Sequence, residues 1–250
     1  RLLVGSSRRF LFSADGMFLY ANGYGIHVLA RDAGTGALTT VEVDDGYSPS
    51  MALSPDGSNL YSGSAGLAAG LATSARDVGT GRLTIVQATT VPAAGLVTVS
   101  PDGGNIYVAG AYIAGGSGNS GLAASYARDA ATGQATFLES YVDGYVGVHD
   151  LYPTGTITVS PDGAHVYMGG PKMGIYSRAA GSGRLSLLDA VDHPFSAQPS
   201  DVAISADGAY LYTLQSSALT VLARNAGTGA LTTVESEQDG IGGVDGLAGA

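Results

Sequence analysis

The chain has 250 residues, 45% hydrophobic and only 13% charged, with 39 glycines and a formal net charge of −10. With Lys172 the single lysine and no basic run, nucleic acid and anionic membrane surfaces are poor partners. The absence of cysteine excludes disulfides and thiolate catalysis, and no apolar run reaches the roughly 18 residues of a membrane-spanning helix.

Along the chain one pattern recurs five times. Ser-(Pro/Ala)-Asp-Gly begins at Ser13, Ser54, Ser100, Ser160 and Ser205. Seven residues after each serine stands Tyr20, Tyr61, Tyr107, Tyr167 or Tyr212. Further on come Arg31, Arg76, Arg128, Arg178 and Arg224, each followed four residues later by Thr-Gly or Ser-Gly. Units of 41 to 60 residues with this regularity point to an array of one supersecondary module.

The third unit reads most clearly. Leu96–Ser100 alternates apolar and polar residues, as a half-buried strand does. Pro101-Asp102-Gly103 is turn chemistry, and Asn105–Ala109, Leu122–Arg128 and Ala135–Tyr141 are three further strands. No segment carries helical periodicity over ten or more residues. Four short antiparallel strands per unit, five times over, predict an all-β fold, a β-propeller of five four-stranded blades. A β-solenoid is the rival, but its coils are shorter and rarely need two tight hairpins. The repeats span about 1–47, 48–93, 94–153, 154–198 and 199–250, with strands starting near residues 8, 48, 94, 154 and 199.

First and third turns barely vary in length. The second turns and the blade-to-blade connections do: tyrosine to arginine takes 11, 15, 21, 11 and 12 residues, and arginine to the next serine 23, 24, 32 and 27. Strand parity puts these variable segments on one end, where loops on a rigid scaffold carry binding residues. The longest are Tyr112–Gly121, Tyr145–Gly155 and Asp189–Ala197.

Ser205-Ala-Asp-Gly208, Ala223–Gly229 (ARNAGTG), Leu231–Glu235 (LTTVE) and Asp239–Ala250 (DGIGGVDGLAGA) resemble the bacterial lactonase-like propeller repeats, relatives of the YVTN-type surface-layer repeats. The resemblance covers nearly the whole chain. It implies a propeller, and for the enzyme branch a phosphogluconolactonase-type activity on a body of about seven blades. This chain shows five, so either the ring closes at five or the chain is a segment of a longer propeller. The start at Arg1 rather than Met predicts a preceding segment, and the composition fits a bacterial secreted protein, extracellular or periplasmic.

The recurring arginines suit bidentate pairing with the turn aspartates Asp15, Asp56, Asp102, Asp162 and Asp207, a structural reading favoured over a ring of binding cations. The recurring tyrosines read as packing residues with satisfied hydroxyls. Gly116–Gly121 spells G-x-G-x-x-G, but it joins two strands and lacks the helix that phosphate binding needs. His149 and His193, with neighbours Asp150 and Asp192, are the candidates for acid–base or metal chemistry. Asp143, Asp239 and Asp245 in Asp-Gly pairs are candidate oxygen ligands, with calcium the one ion to consider, although no calcium-loop motif is spelled. Tyr112, Asn119, Tyr145, His149, Asp150, Tyr152, His193 and Phe195 form the expected binding face, with Tyr47 and Tyr141 as further aromatics. No nucleophile elbow, zinc-protease motif or P-loop is present. The leading expectation is therefore a non-enzymatic extracellular module, needing no cofactor, that binds protein, glycan or copies of itself at the cell surface. The alternative is a sugar-lactone hydrolase in which His149 or His193, Asp150 and an arginine converge.

Overall fold

A computed structural model describes residues 9–23, 25–44, 48, 50–64, 70–90, 93–112, 121–142, 155–193, 198–215 and 217–247. The first blade is β1 (Phe10–Phe12), β2 (Phe18–Asn22), β3 (Ile26–Arg31) and β4 (Leu38–Asp44). The second is β5 (Ser50–Leu53), β6 (Asn59–Ser64), β7 (Gly70–Arg76) and β8 (Leu83–Thr90). The third is β9 (Ala93–Val99), β10 (Asn105–Tyr112), β11 (Gly121–Arg128) and β12 (Ala135–Val142). The fourth is β13 (Thr156–Val159), β14 (His165–Gly169), β15 (Lys172–Arg178) and β16 (Leu185–Asp192). The fifth is β17 (Asp201–Ile204), β18 (Tyr210–Gln215), β19 (Ala218–Arg224) and β20 (Leu231–Gln238). Each sheet keeps sequential strand order, and the described residues contain no helix. The fold is a β-propeller of five four-stranded antiparallel blades, with strands starting at residues 10, 50, 93, 156 and 201.

Two strand limits differ from the sequence reading. Tyr112 closes β10, and Asp189–Asp192 belong to β16 rather than to a loop, while β12 holds Tyr141 as read. Pairing with the neighbouring strand carries each edge beyond its apolar run: Lys172 to Ile175 pair with Asp192 to Asp189. Fourth strands are largely exposed, as the burial of β4 and β8 shows. A register shift recurs between third and fourth strands, at Val28/Leu29, Thr73/Ser74, Ile175/Tyr176 and Val221/Leu222. Such bulges increase the local twist of the outer strand.

The chain packs as two compact units, residues 1–108 with 126–137, and residues 109–125 with 138–250. In each, the core fills the space between neighbouring blades. Phe18, Tyr20, Ile26 and Val28 of blade one meet Met51 and Leu60 of blade two in the first unit. Tyr167, Met173 and Ile175 of blade four meet Leu211 and Leu222 of blade five in the second.

The repeated polar residues hold these joints together. The first turn builds itself: Ser160 Oγ donates to Asp162 at 2.5 Å, and Ala164 N–H donates to the same carboxylate at 2.9 Å. The following blade then clamps onto it. Arg224 Nε donates to Tyr167 Oη at 2.8 Å, Nη1 to the Gly208 carbonyl at 3.1 Å, and Nη2 to Asp162 at 2.7 Å and His165 Nδ1 at 2.9 Å. Tyr167 Oη in turn donates to the Gly229 carbonyl at 2.9 Å. Arg128 repeats this toward Tyr61, Asp56 and Asn59 at 2.7, 2.7 and 2.8 Å. Between blades one and two, Phe18 stands where Asn59 and His165 stand elsewhere. Arg76 there bonds Tyr20 at 2.5 Å, lies 3.9 Å from Asp15, and stacks its guanidinium 5.3 Å from the Phe18 ring centre. The carboxylate partner belongs to the preceding blade, so Arg76, Arg128 and Arg224 each bridge two sheets.

Two requirements make glycine necessary in the third turn. Gly81, Gly133 and Gly229 have φ near +75°. A Cβ there would also strike Phe18, Asn59 or His165 of the preceding blade. An outer polar link runs in parallel: Glu42 accepts from Leu83 N–H at 2.6 Å, and Gln87 from Ala135 N–H at 2.6 Å. Glu139 accepts from Leu185 N–H at 3.1 Å in the same way. Tyr141 also accepts from that amide, which makes it a joint residue and not part of an exposed binding face.

The Arg224 guanidinium is buried, with its side chain 1% exposed. Arg224→Ala is expected to lower stability by about 1–3 kcal/mol, read by urea unfolding. Burial opposes ionisation of Asp162, but the Ser160 hydroxyl, the Ala164 amide and Arg224 outweigh it and bring its pKa to about 2. Asp56 is shifted the same way: burial resists, and Ser54, Ser58 and Arg128 prevail. A carboxylate with a depressed folded pKa stabilises fully above its unfolded value near 3.8, and that stability is lost as the pH falls through the folded value. The melting temperature should therefore hold down to about pH 4 and fall steeply between about pH 4 and 2, and Asp162→Asn should flatten that fall.

Candidate functional site at the second-turn end

In the second unit the variable connections can be followed to their ends. Blade four turns at Gly169-Gly170, with Gly170 N–H donating to the Lys172 carbonyl at 2.9 Å. The connection arriving from blade three finishes at Gly155, whose N–H donates to the Gly169 carbonyl at 2.7 Å. The connection leaving for blade five passes Pro199 and is fixed by Ser200, whose N–H donates to the Leu214 carbonyl at 2.8 Å. A Cβ on Gly155 would lie 2.6 Å from the Pro199 carbonyl oxygen, and one on Gly169 would strike the Thr156 hydroxyl. Two of the three long connections thus meet beside the second turn of blade four, as strand parity requires.

His193 stands at this meeting point, on the residue after β16. Its Nε2 lies 3.1 Å from the Gly170 carbonyl. A carbonyl only accepts, so Nε2 carries the proton and, in the neutral ring, Nδ1 carries the lone pair. Burial pushes the His193 pKa below 6.5, against the Gly170 and Lys172 carbonyls and the Asp192 carboxylate, which favour the cation. The imidazole is neutral at pH 7 and able to accept a proton. Nearby, Thr156 is fully buried, and its hydroxyl has no hydrogen-bond partner among the described residues.

The remaining candidates divide. Asn119, Asp143, Tyr145, His149, Asp150, Tyr152 and Phe195, with Tyr47, lie outside the described residues. Tyr112 ends β10, at the base of the 113–120 segment. Asp239 accepts from the Gly246 and Leu247 amides, both at 2.8 Å, so its carboxylate builds a turn. Neither Asp239 nor Asp245 belongs to a group of three or more His, Cys, Asp or Glu side chains able to hold a metal among the described residues. Of the arginines, Arg76, Arg128 and Arg224 are buried in the blade joints.

Sequence reasoning missed the position five residues after each serine, filled by Phe18, Asn59, Asn105, His165 and Tyr210. Its signal is its place in the repeat. Its changing identity hid a shared role at Phe18, Asn59 and His165, which cover the third-turn glycine of the next blade.

No family model matches the chain, and no curated protein is similar to it in sequence. Solved structures are similar in fold. A protein from Lactobacillus plantarum superposes with a TM-score of 0.77 at 19% identity, over 93% of this chain and 71% of that one. A candidate 6-phosphogluconolactonase from Bacteroides fragilis gives 0.70 at 16% identity, over 92% and 69%. The periplasmic gluconolactonase of Pseudomonas aeruginosa gives 0.53 at 17% identity, over 92% and 85%.

Because a Cβ at position 155 would lie 2.6 Å from the Pro199 carbonyl oxygen, Gly155→Val must displace that carbonyl. The expected loss is about 1–3 kcal/mol by thermal or urea unfolding. Together these relations show the β-propeller fold for this chain, at the level of architecture.

Proposed function

We propose that this propeller hydrolyses an uncharged sugar lactone at the second-turn end. The observation that carries the reading is the neutral His193 imidazole, held by the Gly170 carbonyl where two connections meet. Opening a lactone requires a base to take a proton from water as its oxygen attacks the carbonyl carbon, and donors for the oxygen that becomes anionic. His193 supplies the base. His149 and Asp150 lie on the connection that finishes at Gly155, and we assign them as a second base and the carboxylate that orients it. The names of the gluconolactonase and of the candidate 6-phosphogluconolactonase, proteins of the same fold, favour this over the surface-module reading.

The choice of an uncharged substrate rests on where the cations are. Arg82 pairs with Glu42 at 3.1 Å, Arg184 with Glu139 at 2.8 Å and Lys172 with Asp192 at 3.5 Å. Three of the repeat arginines are spent in the joints described above, and the chain carries a net charge of −10. A phosphorylated sugar would meet repulsion here. An extracellular or periplasmic setting accompanies this reading.

Glucono-δ-lactone hydrolysis, followed by acid release in weak buffer, tests it. Turnover should exceed that of the 6-phosphate ester, and His193→Ala should lower kcat/KM by about 100-fold or more with the melting curve unchanged. Hydrolysis no faster than the buffer blank would overturn the proposal.

A further inference from the structure

The joint between blades two and three encloses a pair of hydroxyls that the arginine clamp does not use. On the blade-two side, Tyr61, Thr73 and Gln87 stand opposite one another on β6, β7 and β8, so their side chains share a face. That face meets blade three. Tyr61 Oη accepts from Arg128 Nε at 2.7 Å, and Gln87 Nε2 donates to the Ala135 carbonyl at 3.0 Å. On the blade-three side, Tyr126 stands two residues before Arg128 on β11 and so shares its face. Thr73 and Tyr126 therefore enter one joint from its two sheets, within one compact unit.

Both side chains are sealed from solvent, at 0% and 1% exposure, and neither hydroxyl has a hydrogen-bond partner among the described residues. Burial raises the Tyr126 pKa to about 12. The Tyr126 ring is seated edge-on against Phe137, with 5.7 Å between ring centres. In the joint between blades four and five the same two places hold Ile175, opposite Tyr167, and Leu222, two residues before Arg224. Both belong to the apolar cluster of that joint. An aliphatic pair fills the place at no polar cost, whereas two hydroxyls buried without partners are destabilising.

We propose that the joint between blades two and three is a binding site for one buried water, held between the Thr73 and Tyr126 hydroxyls. The ligand follows from the groups that face it. They are neutral, and the nearby Arg128 is committed to Tyr61, Asp56 and Asn59. A metal cation needs more oxygens than two hydroxyls supply. A place closed to solvent takes a small neutral molecule, and two hydroxyls meet the smallest number of partners that a buried water requires. The water donates to one hydroxyl and accepts from the other. It adds a second polar link between the sheets, beside the arginine.

A high-resolution crystal structure, together with urea unfolding of Thr73→Val and Tyr126→Phe, tests this. Both substitutions keep the side-chain shape, and Val28 already fills the Thr73 position in blade one. The crystal structure should show one ordered water within hydrogen-bond distance of both hydroxyls. Each single substitution should lower the folding equilibrium constant by about tenfold, because it leaves the other hydroxyl buried without its full set of partners. The double variant should cost less than the two singles combined, since neither hydroxyl then remains. A direct bond between Thr73 and Tyr126, or no density between the two hydroxyls, overturns the inference. A single substitution that leaves stability unchanged or raises it overturns it as well, because the hydroxyl removed was then held by nothing. Strictly additive losses overturn it too.

Discussion

The arginine at the end of each third strand is the contact on which the rest depends. β-Sheets stacked face to face through apolar side chains can slide, because hydrophobic packing is not directional. A buried guanidinium cannot slide without leaving its donors unpaired, at the cost of desolvating a charge. Arg128 and Arg224 each fix a tyrosine hydroxyl and a carboxylate of one blade and a turn carbonyl of the next. The glycine carbonyl that accepts from the tyrosine, and the positive-φ glycine itself, complete a joint that sets the position of one sheet on the next.

This division of labour explains why one end of each blade is constant and the other variable. The arginine clamps that align the blades sit at the first- and third-turn end. The opposite end adds single links such as Asn22 to the Ser48 carbonyl at 2.9 Å, so the second turns and connections are free to change length and sequence. Close backbone approach still constrains them at their bases, where Gly155 abuts Pro199 and Gly63 abuts Gly95. Beyond those bases the chain can carry chemistry, and His193, with a carbonyl-fixed imidazole, is where the described residues place a titratable group.

The architecture was legible in the sequence because its signals are local. Ser-Pro-Asp-Gly and Asp-x-Gly-Thr-Gly dictate turns by side chain-to-backbone hydrogen bonds within a few residues, as Asp32 shows by accepting from the Gly34 and Thr35 amides. The arginine–aspartate pairing was also readable in kind, since cation and carboxylate recur in step. That the pair crosses to the preceding blade was not, because it depends on how sheets stack. Strand ends were misjudged at Tyr112 and Asp189–Asp192, where pairing partners and not composition decide the limit. The site was the least legible part. Of the residues singled out for the binding face, His193 is described with partners, and its role rests on one carbonyl and on burial, neither of which a sequence spells. That the Asp239 carboxylate accepts from the Gly246 and Leu247 amides was not readable either, because an Asp-Gly pair spells a turn and a ligand equally well in sequence.

The central claim is that the arginine, tyrosine and carboxylate act as one unit across a joint. A double-mutant cycle on Arg224→Ala and Tyr167→Phe, by urea unfolding, measures it most directly. The two groups touch at 2.8 Å across blades four and five. A shared unit predicts a coupling energy of at least about 1 kcal/mol, with the second substitution costing little once the first is made. Strict additivity would contradict the account and return the joint to apolar packing alone.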